Sequence, residues 1–181
     1  MIRPRLMVLI TIVLVAAASR LIPHPPNLAS ITALALFGGA YFSNKRFAFL
    51  VPLSALLLSD LVLGFYSHME FVYLSFALTV CIGLFLQSKR SALNIAGATL
   101  ASSVLFFVIT NFGVWAFGSL YPMTMDGLVA CYVAAIPFFK NSLQSDLLST
   151  AVLFGGFTLL ERRFSALRGP AMATVDVSIV R

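Results

Sequence analysis

The sequence predicts an all-α, polytopic membrane protein in which six transmembrane helices form a single bundle. Of its 181 residues, 60% are hydrophobic and 10% are charged, whereas a soluble domain carries about 25% charged residues. The apolar runs alternate with short polar connections, as expected of a chain that crosses a bilayer repeatedly. Basic residues cluster in alternate connections, which is typical of a topology that follows the positive-inside rule.

The apolar runs define the predicted elements in order. We expect one transmembrane domain over 1–168, with a loosely ordered tail over 169–181. Its spans are predicted at about 6–19, 29–42, 47–65, 71–87, 92–117 and 142–160. The first run ends in Ala16, Ala17 and Ala18, which resembles a signal-peptide cleavage site. We expect this run to remain as the first span.

The connection over 20–30, RLIPHPPNLAS, is predicted to be a stiff, extended loop. Pro23, Pro25 and Pro26 exclude a helix there. His24 lies between prolines, so its direction is partly fixed by the backbone. This histidine is either a solvated loop residue or a contact to a ligand.

The segment over 127–139 is short for a span and contains Pro137. We therefore expect 119–141 to form a cap that does not cross the membrane. With six spans and cytoplasmic termini, the inner ends carry most of the basic residues, namely Arg3, Arg5, Lys45, Arg46, Lys89, Arg90, Arg162, Arg163 and Arg168. Only Arg20 and Lys140 then lie outside, in agreement with the positive-inside rule.

This topology predicts an outward-facing, capped pocket. Candidate binding residues in the outer half are His24, Tyr66, His68, Tyr73, Asn111, Tyr132 and Asn141. Asp60 and Asp146 are expected to hold helices or loops together, through Lys140 and Asn141, because a carboxylate inside a span is costly unless it is paired or hydrated. Cys81 lies about 15 Å below the outer end of its helix, near the midplane. It is either a small buried hydrophobe or a thiolate ligand at the floor of the pocket.

Several functions are disfavoured by the sequence. The basic residues form no continuous, aromatic-interleaved face for nucleic acid, and there is no Walker-type phosphate loop. Cys81 and Cys131 cannot form a disulfide framework. We identify no Ser/His/Asp set, His-rich metal box or paired carboxylates, so an ordinary hydrolase is not expected.

Three stretches carry a resemblance to a known family. The segments RLIPHPPNLASITALALFGGAYF at 20–42, PLSALLLSDLVLGFY at 52–66 and AIPFFKNSLQSDLLSTAVLFG at 135–155 are similar to S-components of energy-coupling-factor vitamin transporters. Within these, the chain resembles the BtuM-type branch of solitary cobalamin transporters. The resemblance covers about 20–160.

The resemblance implies uptake of cobalamin or a related corrinoid across the bacterial inner membrane, with no cofactor of the protein's own. It assigns Cys81 as the ligand of the substrate's cobalt, with Cys131 in the cap as the weaker candidate. Soft thiolates suit such metals, and coordination deprotonates the thiol. By displacing cyanide, Cys81 could assist decyanation of cyanocobalamin, the one catalytic step we consider. The first span lacks the Ala-xxx-Ala pair used for docking on a coupling subunit, so the protein is expected to act alone, with membrane lipids and cobalamin as its partners.

Two alternatives remain open at this point. The chain could bind another vitamin or small molecule, with Cys81 inert. It could also be a membrane subunit that contacts only other proteins, in which case its outer polar residues would tolerate alanine.

Overall fold

The computed structural model describes residues 4–21 and 31–168, and within these ranges it contains six α-helices and no strand. The helices are α1 (Pro4–Ala18), α2 (Ile31–Tyr41), α3 (Lys45–Leu63), α4 (Met69–Phe85), α5 (Ala92–Phe117) and α6 (Met125–Arg163). Short 3₁₀ turns follow α1, α4 and α6, at Ser19–Leu21, Leu86–Ser88 and Ser165–Leu167. The predicted all-α class is confirmed.

Local sequence signals explain where three of these helices begin. The side chain of Asn44 accepts a hydrogen bond from the Arg46 amide at the start of α3. Ser91 and Thr124 cap α5 and α6 in the same way. Such caps satisfy amides that have no partner inside the helix. α5 begins and ends at the residues predicted for the fifth span.

The cap predicted over 119–141 and the span predicted over 142–160 are not separate elements. Both belong largely to α6, a continuous helix of 39 residues, which is about 58 Å long at 1.5 Å per residue. Pro137 removes a single backbone donor, and the helix continues through it. The polar stretch after it also fits a helix, because Lys140, Asn141 and Gln144 are exposed while Ser145 and Asp146 are buried.

The helices alternate in direction, so both ends of the described chain lie at the same end of the bundle. The Arg5 guanidinium at the start of α1 lies 2.5 Å from the Glu161 carboxylate near the end of α6. Arg5 also donates to the carbonyl of Leu167, and the Arg168 guanidinium donates to the Glu161 carbonyl at 3.3 Å. We call this the basic end and the opposite one the distal end.

Helix α2 is the centre of the bundle. Every residue from Thr32 to Phe42 is buried, and α2 contacts each of the other five helices. Its backbone approaches α4 closely at Gly39 and Gly83. The Gln87 side chain donates to the carbonyls of Gly39 and Phe42, both at 2.9 Å, which satisfies acceptors at the C-terminal end of α2.

The short length of α2 determines the depth at which it begins. Tyr41, at its end, lies beside Thr158 and Arg90 at the basic end, with 3.4 Å between the two hydroxyl oxygens and the Arg90 guanidinium over the tyrosine ring at 4.7 Å. Eleven residues rise only about 16 Å, half of a hydrocarbon core of about 30 Å. The first turn of α2 therefore lies near mid-depth, below the distal ends of its neighbours.

Candidate functional site

A buried ion pair joins three helices at the distal end. The Arg20 guanidinium, in the turn after α1, lies 2.9 Å from the Asp60 carboxylate on α3, and the two side chains are 10% and 0% exposed. Arg20 also donates to the Ser59 hydroxyl. The Tyr73 hydroxyl on α4 donates to the second Asp60 oxygen at 2.9 Å. Asp60 thus holds α1, α3 and α4 together.

The partners of Asp60 differ from the predicted ones. We expected Lys140 and Asn141, but both are exposed residues on α6, and Arg20 and Tyr73 hold the carboxylate instead. One sequence signal could have identified Arg20. It is one of only two basic residues, with Lys140, on the side predicted to be poor in positive charge, and a cation there calls for a specific partner.

Tyr66 and His68 lie in the connection between α3 and α4. Desolvation, followed by the nearby Asp60 carboxylate, raises the pKa of Tyr66 to about 12, so its hydroxyl stays protonated at physiological pH. Nδ1 of His68 lies 3.8 Å from a Glu70 carboxylate oxygen. His68 has a positive φ of 62°, a conformation that is uncommon outside glycine and turns the chain into α4.

A second group of predicted residues lies between α5 and α6. The Asn111 amide donates to the Phe107 carbonyl at 2.8 Å, and the Tyr132 hydroxyl donates to the Val108 carbonyl at 2.7 Å. Cys131 is buried, with its sulfur 3.5 Å from the Asn111 carbonyl. The contacts of Tyr132 and Cys131 join the distal halves of the two helices, whereas that of Asn111 lies within α5.

A cavity of about 220 Å³ lies beside these residues, between α5 and α6. Its lining is Ser103, Phe106, Phe107, Thr110, Asn111, Ala135, Phe138, Phe139, Ser142 and Asp146. The Ser103 hydroxyl donates to the buried Asp146 carboxylate at 2.7 Å. Asp146 therefore connects α5 to α6 through Ser103, and not through the expected Lys140 or Asn141, and also contributes a carboxylate to the wall of the cavity.

Cys81 lies on the side of α4 that faces away from α2. Phe76, Val80 and Gly83 form the buried face that packs on α2. Around the axis of an ideal helix, Leu74 and Leu78 point within about 60° of the direction of Cys81. Both leucines are exposed. The Cys81 thiol is itself partly exposed and free. This position does not match a ligand at the floor of a pocket enclosed by α2 and α4.

The structure thus brings the predicted residues into two groups rather than one. Tyr66 and Tyr73 surround Asp60, with His68 in the adjoining turn, whereas Asn111 and Tyr132 lie between α5 and α6. Asn141 is exposed on α6. His24 lies outside the described residues. Within 4–21 and 31–168, no group of three or more His, Cys, Asp or Glu is arranged to hold a metal ion.

The fold is a bundle of apolar helices, consistent with a multi-pass membrane protein. Five helical segments in the described ranges, Pro4–Leu21, Lys45–Leu63, Met69–Ser88, Ala92–Phe117 and Met125–Arg163, are long and apolar enough to cross a membrane, with Thr32–Tyr41 as a shorter apolar helix. The chain belongs to the family described as "Family of unknown function (DUF6580)", which it matches over residues 1–168. Searches of curated proteins and of solved structures find no match.

Proposed function

We propose that this protein takes up cobalamin or a related corrinoid across the bacterial inner membrane, with the distal end of the bundle facing outward. The orientation is supported by charge, since cationic residues concentrate at cytoplasmic membrane ends. In the described ranges, the basic end carries Arg5, Lys45, Arg46, Lys89, Arg90, Arg162, Arg163 and Arg168. At the distal end, Arg20 is neutralised by Asp60, and Lys140 is the one other basic residue of the described ranges on that side.

The observation that carries this proposal is the half-length helix α2. Its described part, Ile31–Tyr41, is about half the length of a span, and the sequence that precedes it is rich in proline. Short or proline-interrupted hydrophobic segments are typical of substrate sites in transporters. The substrate site is accordingly proposed above the first turn of α2.

The polar residues at the distal end suit a substrate that carries many amides. Tyr66 keeps a neutral hydroxyl, and Asn111 lines a cavity between α5 and α6. Hydroxyl and carboxamide groups can both donate to and accept from the amide side chains of a corrin. His24, in the segment that leads into α2, is proposed as a further contact or an axial ligand.

In this proposal Cys81 is the cobalt ligand and the agent of decyanation. Its thiolate would form a Co–S bond as the Co–CN bond breaks, and cyanide would leave with the thiol proton as hydrogen cyanide. The thiol lies among exposed residues on the face of α4 that is remote from α2. This step therefore requires the corrinoid to leave the site above the first turn of α2 and reach that face.

A second candidate function is the binding of another vitamin or small molecule, with Cys81 inert. The observation that favours it is the position of Cys81 opposite the face that packs on α2. The same distal site and orientation would serve either substrate, so the two candidates differ in ligand and in the role of the thiol.

Adding cobalamin to the purified protein separates these candidates. If Cys81 binds cobalt, the bound cobalamin should show a changed visible spectrum, and Cys81→Ala should abolish the change while Cys131→Ala retains it. Retention of cobalamin without a spectral change would support cobalamin as the substrate but exclude the Cys81 thiolate as a cobalt ligand. Failure of the wild-type protein to retain cobalamin would contradict the proposed substrate.

A further inference from the structure

A second cavity, of about 650 Å³, opens between α5 and α6 at the basic end. Its floor is formed by the buried residues Thr99, Thr150 and Phe154. Its walls are small or apolar residues that are largely exposed, namely Ala92, Ile95, Ala96, Leu147, Ala151, Gly155 and Leu159. We call this cavity the α5–α6 groove. It is separate from the proposed substrate site in the distal half.

Two arginines line the mouth of the groove. Arg90, in the connection before α5, is placed by the ring of Tyr41, whose centroid lies 4.7 Å from the guanidinium carbon. Arg162 is exposed on the last turn of α6. Within the described ranges neither arginine forms a salt bridge, and the neighbouring carboxylate of Glu161 is buried and paired with Arg5. The mouth therefore carries two positive charges without a nearby counter-ion from those ranges.

The dimensions of the groove fit one leaflet of a membrane. From Leu147 to Arg162 the lining of α6 covers 16 residues and rises about 22 Å, and from Ala92 to Thr99 that of α5 rises about 10 Å. Half of a hydrocarbon core is about 15 Å. A ligand bound here would meet cations at the membrane surface and an apolar channel beneath them.

We propose that the α5–α6 groove binds an anionic phospholipid. Its phosphate would lie between Arg90 and Arg162, because guanidinium groups bind phosphate through paired hydrogen bonds. One acyl chain would lie along Ala96, Ala151 and Gly155. Basic pockets between transmembrane helices recognise anionic lipid headgroups by this combination of charge and apolar surface.

Native mass spectrometry of the full chain with added cardiolipin, phosphatidylglycerol or phosphatidylcholine tests the proposal. We expect retention of the two anionic lipids and little retention of phosphatidylcholine. Replacing Arg90 and Arg162 by glutamine should weaken anionic-lipid binding by about fivefold for each arginine. Replacing Lys45 and Arg46 by glutamine removes the same charge from exposed positions at the same end and should leave binding unchanged.

A matched pair of glycines tests the groove without altering charge. A Cβ on either Gly155 or Gly156 would meet no other atom within 4 Å, but only Gly155 lines the groove. Gly155→Leu should therefore weaken lipid binding, whereas Gly156→Leu should not. This pair also keeps the test valid if the Arg90 variant fails to fold after losing its contact with Tyr41.

Three results would overturn the proposal. The first is retention of phosphatidylcholine equal to that of the anionic lipids. The second is unchanged lipid binding in both the arginine variants and Gly155→Leu. The third is displacement of the lipid by inorganic phosphate together with no effect of Gly155→Leu, a result that would indicate an anion site alone. A dimer that forms without lipid and is lost in Gly155→Leu would assign the groove to a second copy of the chain.

Discussion

Replacing Gly39 or Gly83 by alanine should strongly destabilise the packing of α2 against α4. A Cβ on Gly39 would lie 2.3 Å from the Val80 carbonyl oxygen and 2.8 Å from the Gly83 Cα. A Cβ on Gly83 would lie 2.5 Å from the Leu36 carbonyl oxygen. These atoms belong to the backbone, so the clash is relieved only if α2 and α4 move apart.

The expected loss of stability follows from the separation of α2 and α4. Overpacking costs about 1–3 kcal/mol when side chains can adjust. Displacing α2 would also weaken the two hydrogen bonds from Gln87, at about 1 kcal/mol each. We expect a total of about 3 kcal/mol or more, a large part of the 5–15 kcal/mol by which a typical protein is stable. Thermal unfolding in detergent, followed by circular dichroism, measures the loss.

Gly155→Ala and Gly156→Ala are the matched controls. Both residues lie inside α6, and an added Cβ would meet nothing within 4 Å. Because alanine has a higher helix propensity, these substitutions should leave stability unchanged or raise it by up to about 1 kcal/mol. Equal effects of Gly39→Ala and Gly155→Ala would contradict the close approach of α2 and α4.

Asp60→Asn should strongly destabilise the bundle. It would leave the guanidinium of Arg20, 10% exposed, without its carboxylate, and would weaken the hydrogen bond from Tyr73. Removing one partner of a buried ion pair costs about 3–5 kcal/mol, because an uncompensated charge remains buried. A large fall in the unfolding midpoint, or failure of the protein to accumulate in the membrane, is the expected result.

Glu70→Gln is the control for this change, since the Glu70 side chain is 64% exposed and lies near the same end. Its effect should stay within about 0.5 kcal/mol. The double variant Arg20→Met with Asp60→Leu removes both charges and should recover most of the loss. If the double variant were as unstable as Asp60→Asn, the ion pair would not be the cause.

The sequence predicted the helices well where hydrophobicity and polar connections agree. The fifth span was predicted at both ends because Ser91 caps α5 and Gly118 follows it. It predicted α6 wrongly, since the short apolar run over 127–139 and Pro137 suggested an interruption. A proline removes one backbone hydrogen bond, which does not end the helix. The polar residues after it are compatible with the helix because Asp146 bonds to Ser103 on α5.

The candidate site could be predicted only in part, because α4 is apolar on nearly every side. Hydrophobicity alone does not show which face of such a helix packs against its neighbours. The small residues Ser75, Thr79 and Gly83 did carry a signal, since they recur at a spacing of four and are all buried. Small residues mark close helix contacts in membranes, and Cys81 lies away from that face.

Growth of a cobalamin-dependent bacterial strain that lacks its own importer tests directly whether this chain takes up cobalamin. The strain would express this chain alone, without coupling subunits, on limiting cobalamin. We expect wild-type protein to restore growth and Asp60→Asn to fail, because the bundle does not assemble. Cys81→Ser tests the role of the thiol separately, and growth should be reduced if the thiol binds cobalt. Absence of rescue by wild-type protein that is present and folded in the membrane would contradict uptake of cobalamin by this chain alone.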